Sequence, residues 1–175
     1  IPVWQWKYRI VHIGCIVLVP NLLCYRMQRY DRFHSRFLTV EISRSYVTDP
    51  LLILAVVAQE SRGNPNARGR KQSGAFSGAL GLMQIKLETA KKMGEPFGLQ
   101  IETEEDLLRP EINVTVGTAY LIRLISRYGN WKDALIAYNL GHSAVDRMLQ
   151  SGKPLPTKYY EHVISKYRNL MSLEF

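Results

Sequence analysis

The sequence predicts an all-α domain, on three observations. Apolar residues recur at helical spacing from about residue 31 to the C-terminus. Asp49-Pro50 and Pro110 stand where helices start, and Gly63 with Asn64-Pro65 stands where one stops. No stretch alternates apolar and polar residues over more than four positions, and no internal repeat occurs. A length of 175 residues suits one domain of ordinary size. Apolar residues make up 46% and charged residues 22%, which excludes disordered, collagenous and coiled-coil chains.

The chain opens with a segment of a different kind. Ile10 to Tyr25 is a run of 16 uncharged residues behind Lys7 and Arg9. As a helix it spans roughly 24 Å at ~1.5 Å per residue, short of a ~30 Å hydrocarbon core. Pro20 and Asn21 interrupt it further. Its length and basic front edge predict an export signal or short membrane anchor over residues 1–30. Arg26, Arg29, Arg32 and Arg36 follow the run, and no clear small-residue cleavage site is present. Both features disagree with export, since the basic flank would hold the C-terminal side in the cytoplasm, and a buried core helix is the alternative.

The domain proper is expected over residues 31–175. Phe33, Phe37 and Leu38 fall at helical spacing ahead of a turn at Val47-Thr48. Asp49 then reads as an N-cap with Pro50 at the first helical position. Leu51 to Ala58 is apolar on every face, which predicts a central, buried helix. Gly69, Gly74 and Gly78 among basic and small residues predict a mobile loop over 68–80. A short helix is expected over Glu88 to Met93. A longer one starts at Pro110 and runs to about Tyr128, with Ile112, Val116, Ala119, Tyr120 and Leu124 inward. Trp131 to Asn139, Ser143 to Leu149 and Lys158 to Leu170 complete the set.

Charge and ligand-bearing residues narrow the function classes. Lys and Arg number 23 against 15 Asp and Glu, giving a net charge of +8 and a pI near 9.6. Such an excess suits nucleic acid, anionic lipid or an acidic wall polymer. No concentrated basic helix or base-stacking motif is present, so nucleic acid is not the expected partner. Cys15 and Cys24 are the only cysteines, too few for a disulfide framework or a four-cysteine zinc site. His12, His34, His142 and His162 are scattered and form no His-Glu-x-x-His pair. Neither a metal nor a cofactor is expected. Phosphate-loop and nucleophile-elbow patterns are missing too.

Glu60 is the residue that invites chemistry. It follows a run of apolar residues at the end of the most apolar helix. Burial and the negative end of the helix dipole both disfavour its ionised form, as a general acid at neutral pH requires. Arg62, Arg68, Arg70 and Lys71 pull the other way, and a glutamate reaching solvent at a helix end is the plainer alternative. In Gly81-Leu82-Met83-Gln84, glycine permits close backbone approach and Gln84 offers a donor and an acceptor. Asn139 suits either a contact or a C-cap before Gly141, and Tyr138 either a contact or ordinary packing. Of Tyr159 and Tyr160, one must face away from the core.

Several short motifs then occur in a fixed order. They are Glu60-Ser61, Asn64-Pro65-Asn66-Ala67, Gly81-Leu82-Met83-Gln84, Asn113 with Gly117-x-x-Tyr120-Leu121, Ala137-Tyr138-Asn139-x-Gly141, and a late tyrosine. Each alone is weak, but the ordered set resembles the catalytic domain of the soluble-lytic-transglycosylase type. This is glycoside-hydrolase family 23, with a goose-type-lysozyme-like helical fold. The resemblance covers about residues 38 to 170 and implies action on peptidoglycan. The implied reaction cuts the β-1,4 bond between N-acetylmuramic acid and N-acetylglucosamine and leaves a 1,6-anhydro end.

On that resemblance Glu60 protonates the leaving oxygen and then acts as base toward the muramic C6 hydroxyl. Attack from within the substrate removes the need for a second carboxylate. No Asp or Glu occurs between Glu60 and Glu88, although Glu111 and Asp146 are distant acids that folding can bring near. The same match has Ser61 support the site, Met83 and Gln84 line the sugar groove, and Tyr138 and Asn139 stand beside the acid. The family tyrosine is Tyr159 counted back from Val163 and Tyr160 counted from Thr157. Tyr159 is preferred, since Val163, Ile164 and Tyr167 then keep helical register. Between Ala67 and Gly81 the chain is several residues longer than the family spacing, so the loop over the groove is expected to differ. The implied partners are peptidoglycan glycan strands in the bacterial envelope, with membrane association through residues 1–30. The rivals are a hydrolysing muramidase on the same fold and an inactive wall-binding component of a secretion or phage apparatus.

Overall fold

The computed structural model describes residues 48–71 and 73–172. The expected export segment and the positions of Phe33, Phe37 and Leu38 lie outside the described residues. Helix α1 (Pro50–Glu60) starts as its sequence dictates. The Asp49 carboxylate accepts from the Leu51 N–H at 2.8 Å, and Pro50 occupies the first turn, where no N–H partner is needed. Leu52, Ile53, Ala55 and Val56 are fully buried, so α1 is the central helix. It packs most extensively on α7 (Lys158–Met171). The Tyr167 hydroxyl donates to the Asp49 carboxylate at 2.5 Å, tying the start of one helix to the end of the other.

After α1 the chain departs from the expected loop. Residues Arg68–Arg70 (β1), Phe76–Leu80 (β2) and Ile85–Lys86 (β3) form a three-stranded antiparallel sheet in the order β1-β2-β3. Arg68 pairs with Leu80 and Arg70 with Phe76, so β2 carries extra residues in a bulge that Gly78 accommodates at φ 80°. Backbone pairing supplies the order here. With no β-branched residue in Phe76–Leu80, the pattern gives little sign of a strand.

Helix α2 (Leu87–Gly94) and a short 3₁₀ turn (Glu95–Phe97) follow, then α3 (Glu104–Leu108). Neither the turn nor α3 was expected. α3 is only five residues long, but Thr103 and Asp106 close a capping box around its start. Helix α4 (Pro110–Tyr128) begins at its proline and ends at Gly129, whose φ of 70° suits a left-handed cap. Its Ile112, Val116 and Leu124 are buried as expected, while Ala119 and Tyr120 are half-buried. Helices α5 (Trp131–Leu140) and α6 (His142–Gln150) complete the chain order before α7. Among the described residues the fold is mainly helical, with the small sheet packed against α2, α3 and α4. No described helix is long and apolar enough to cross a membrane.

Candidate active site

Glu60 is the last residue of α1, where the buried helix meets the surface. The Tyr159 hydroxyl of α7 donates to its Oε1 at 2.5 Å. Burial raises the Glu60 pKa above the ordinary carboxylate value, and the Tyr159 hydrogen bond opposes this more weakly. No cation among the described residues offsets the effect of burial. Arg68 is instead paired with Glu104 at 2.9 Å. Tyr159 rather than Tyr160 therefore faces the acid.

The two distant acids are bonded elsewhere. Glu111 is bonded to Arg109, and Asp146 to Arg127 and Tyr128. Among the described residues, no other carboxylate adds to the upward shift of Glu60.

Tyr138 also lies near Glu60. It is nearly buried, its hydroxyl donates to the Met83 carbonyl at 2.8 Å, and its ring lies 5.4 Å from that of Tyr120. Burial pushes its phenol well above the usual range, with added repulsion from the Glu60 carboxylate. Tyr159 behaves alike for the same two causes, taken in the same order. Both phenols thus stay neutral donors around one acid.

The loop carrying Met83 hangs from Asn113, a fully buried residue of α4. Its amide nitrogen donates to the carbonyls of Leu80 and Leu107, both at 2.8 Å, and its oxygen accepts from the Met83 N–H at 2.7 Å. All three bonds are buried and serve backbone groups left unpaired where β2 and α3 end. The motif pattern included Asn113 but gave it no task. A polar residue at an inward position of an amphipathic helix was the available signal.

Other expected contacts are placed differently. Met83 is fully buried with its side chain against Gly117, so its side chain does not line a groove. It acts from behind, through the carbonyl that holds Tyr138. Ser61 is also buried. Its hydroxyl donates to the Val57 carbonyl and accepts from the Gly63 N–H, which ends α1 and shapes the turn behind Glu60. Gln84 donates its amide to the carbonyls of Ala67 and Gly81, so only its oxygen is left for a ligand. Asn139 is exposed beside Tyr138, and its side chain makes no hydrogen bond among the described residues. It is not the C-cap, because α5 continues through Leu140 to Gly141. Arg62 and Gln84 are the described non-glycine residues with positive φ, at 55° and 51°, and each closes a turn at this site.

The Transglycosylase SLT domain profile matches residues 38–160, most of the chain. The chain belongs to this family. A Haemophilus influenzae protein assigned as a soluble lytic murein transglycosylase is 36% identical over 154 residues, covering 85% of this chain and 24% of that protein. The membrane-bound lytic murein transglycosylase C of Shigella sonnei is 34% identical over 157 residues, covering 83% and 40%. The 70 kDa soluble lytic transglycosylase of Escherichia coli superposes on the SLT domain with a TM-score of 0.58 at 26% identity, covering 74% of this chain and 24% of that one. The chain therefore spans a quarter to two fifths of the length of these relatives.

Proposed function

We propose that this SLT domain is a peptidoglycan lytic transglycosylase. It cuts between N-acetylmuramic acid and N-acetylglucosamine with Glu60 as the one acid and base. The observation that carries this reading is a carboxylate at the end of α1 that accepts from the Tyr159 hydroxyl, kept protonation-prone by burial, with no second carboxylate acting on it among the described residues. Glu60 gives its proton to the glycosidic oxygen as the C1–O bond breaks. The carboxylate then takes the proton of the muramic C6 hydroxyl while that oxygen bonds to C1. The leaving sugar gains one proton, Glu60 regains one, and no water is consumed. The Tyr159 hydroxyl steadies the carboxylate between the two steps. We assign the free amide of Asn139 and the Gln84 oxygen to hydrogen bonds with the sugars.

The site of action is the bacterial envelope, with residues 1–30 directing the chain there. Release of soluble fragments from purified sacculi tests the role of Glu60. Glu60→Gln is close to isosteric and should cut the rate by roughly 10²–10⁴-fold while leaving the melt unchanged. A variant that keeps a tenth of the activity would remove Glu60 from the mechanism.

A further inference from the structure

We propose that the end of the β1-β2 hairpin docks on an anionic lipid bilayer, with the Phe76 ring among the headgroups and Arg70 and Lys71 on the lipid phosphates. The proposal stands apart from the peptidoglycan reading of Glu60 and from any role of residues 1–30. Phe76 is 41% exposed. Arg70 is its partner across the ladder, so the two side chains leave the sheet on the same face. Lys71 comes next. Its N–H donates to the Ala75 carbonyl at 2.8 Å, and its carbonyl accepts from the Gly74 N–H at 2.9 Å. These bonds hold Lys71 at the end of the hairpin, next to the Arg70–Phe76 pair. The surroundings are open, since a Cβ on Gly74 or Gly78 would meet nothing within 4 Å.

Charge and shape choose the occupant. No Asp or Glu occurs between Glu60 and Glu88. Arg68, at the other end of β1, is paired with Glu104, whereas Arg70 and Lys71 make no ion pair among the described residues. An aromatic ring is favoured at the headgroup level of a bilayer, and cations beside it gain from a negative lipid surface. A specific protein partner needs a complementary patch of about 800 Å², more than the end of one hairpin supplies. A fluid bilayer needs no such patch, because lipids rearrange around the ring. A dissolved polyanion would engage the cations and leave the ring in water. At its base the hairpin is tied to the candidate active site. The Gly81 N–H and the Gln84 amide both donate to the Ala67 carbonyl, at 2.9 and 3.1 Å. A seated hairpin therefore fixes how that site is turned toward the membrane.

Tryptophan emission of the full 175-residue chain tests this. Trp4, Trp6 and Trp131 emit in every sample, so subtracting the unaltered chain from Phe76→Trp isolates the ring at position 76. Vesicles of equal parts phosphatidylglycerol and phosphatidylcholine should shift this difference emission to the blue, and brominated acyl chains should quench it. Phosphatidylcholine vesicles and soluble polyphosphate should do neither. Adding Arg70→Gln and Lys71→Gln should raise the lipid concentration at half-shift by roughly 30-fold, as expected for two cations at an anionic surface. High salt on Phe76→Trp repeats the charge test if the triple variant melts early, and the shift should fade as the charges are screened. Emission indifferent to the anionic vesicles overturns the proposal, as does a shift that salt leaves unchanged. An equal response to phosphatidylcholine, to polyphosphate, or by a folded triple variant overturns it too.

Discussion

Glu60 is held between opposing influences, and their balance can be measured. Burial raises its pKa and the Tyr159 hydroxyl lowers it. Tyr159→Phe removes the lowering partner, so the pKa should rise further. The first step needs the protonated acid, which is lost as pH rises through that pKa. The basic limb of the kcat/KM profile should therefore move to higher pH in the variant, with a lower maximum. A limb that stays put or moves to lower pH would show that Tyr159 does not act on the acid. Helical register within Lys158–Met171 was enough to prefer Tyr159 over Tyr160, because it depends only on local geometry. The roles of Ser61 and Met83 were not readable in the same way. Whether a side chain faces a groove or a core depends on which helix covers it, and here α4 covers Met83 through Gly117.

At the scale of elements, α4 sets the site by coming close to the loop beneath Tyr138. A Cβ on Gly117 would lie 2.5 Å from the Met83 sulfur and 2.7 Å from its Cβ. Alanine gains about 1 kcal/mol of helix propensity over glycine, whereas overpacking a closed core costs about 1–3 kcal/mol. The Met83 Cβ cannot swing aside as a side-chain end can, so the cost should win. Gly117→Ala should lower the urea midpoint and reduce activity by displacing the Met83 carbonyl from Tyr138. An equal or higher midpoint with full activity would show that the contact is slack. The longer helices were legible because each announces its ends, as at Asp49-Pro50 and Pro110 through Gly129. The sheet was not, since Arg68–Arg70 and Phe76–Leu80 owe their pairing to each other rather than to side-chain preference. α3 left one trace in sequence, the Thr103-x-x-Asp106 box, too short a signal without a periodic run behind it.

At the scale of the whole molecule, the proposed function assigns catalysis and delivery to different parts of the chain. The described residues between 48 and 172 build a core around α1, and the two residues bonded to each other at the site, Glu60 and Tyr159, both belong to that stretch. Removing residues 1–30 should leave a soluble chain with full activity on purified sacculi and abolish wall cleavage in the cell. Fractionation of full and shortened chains checks this, and an aggregated short chain would return that segment to the core. The central claim is that one carboxylate suffices because the substrate supplies its own nucleophile. Mass spectrometry of fragments released from purified sacculi tests it most directly. The account predicts muramic ends lighter by one water, the 1,6-anhydro form, which disappear with Glu60→Gln. Reducing ends of full mass would contradict it, since they require water where the C6 hydroxyl is expected.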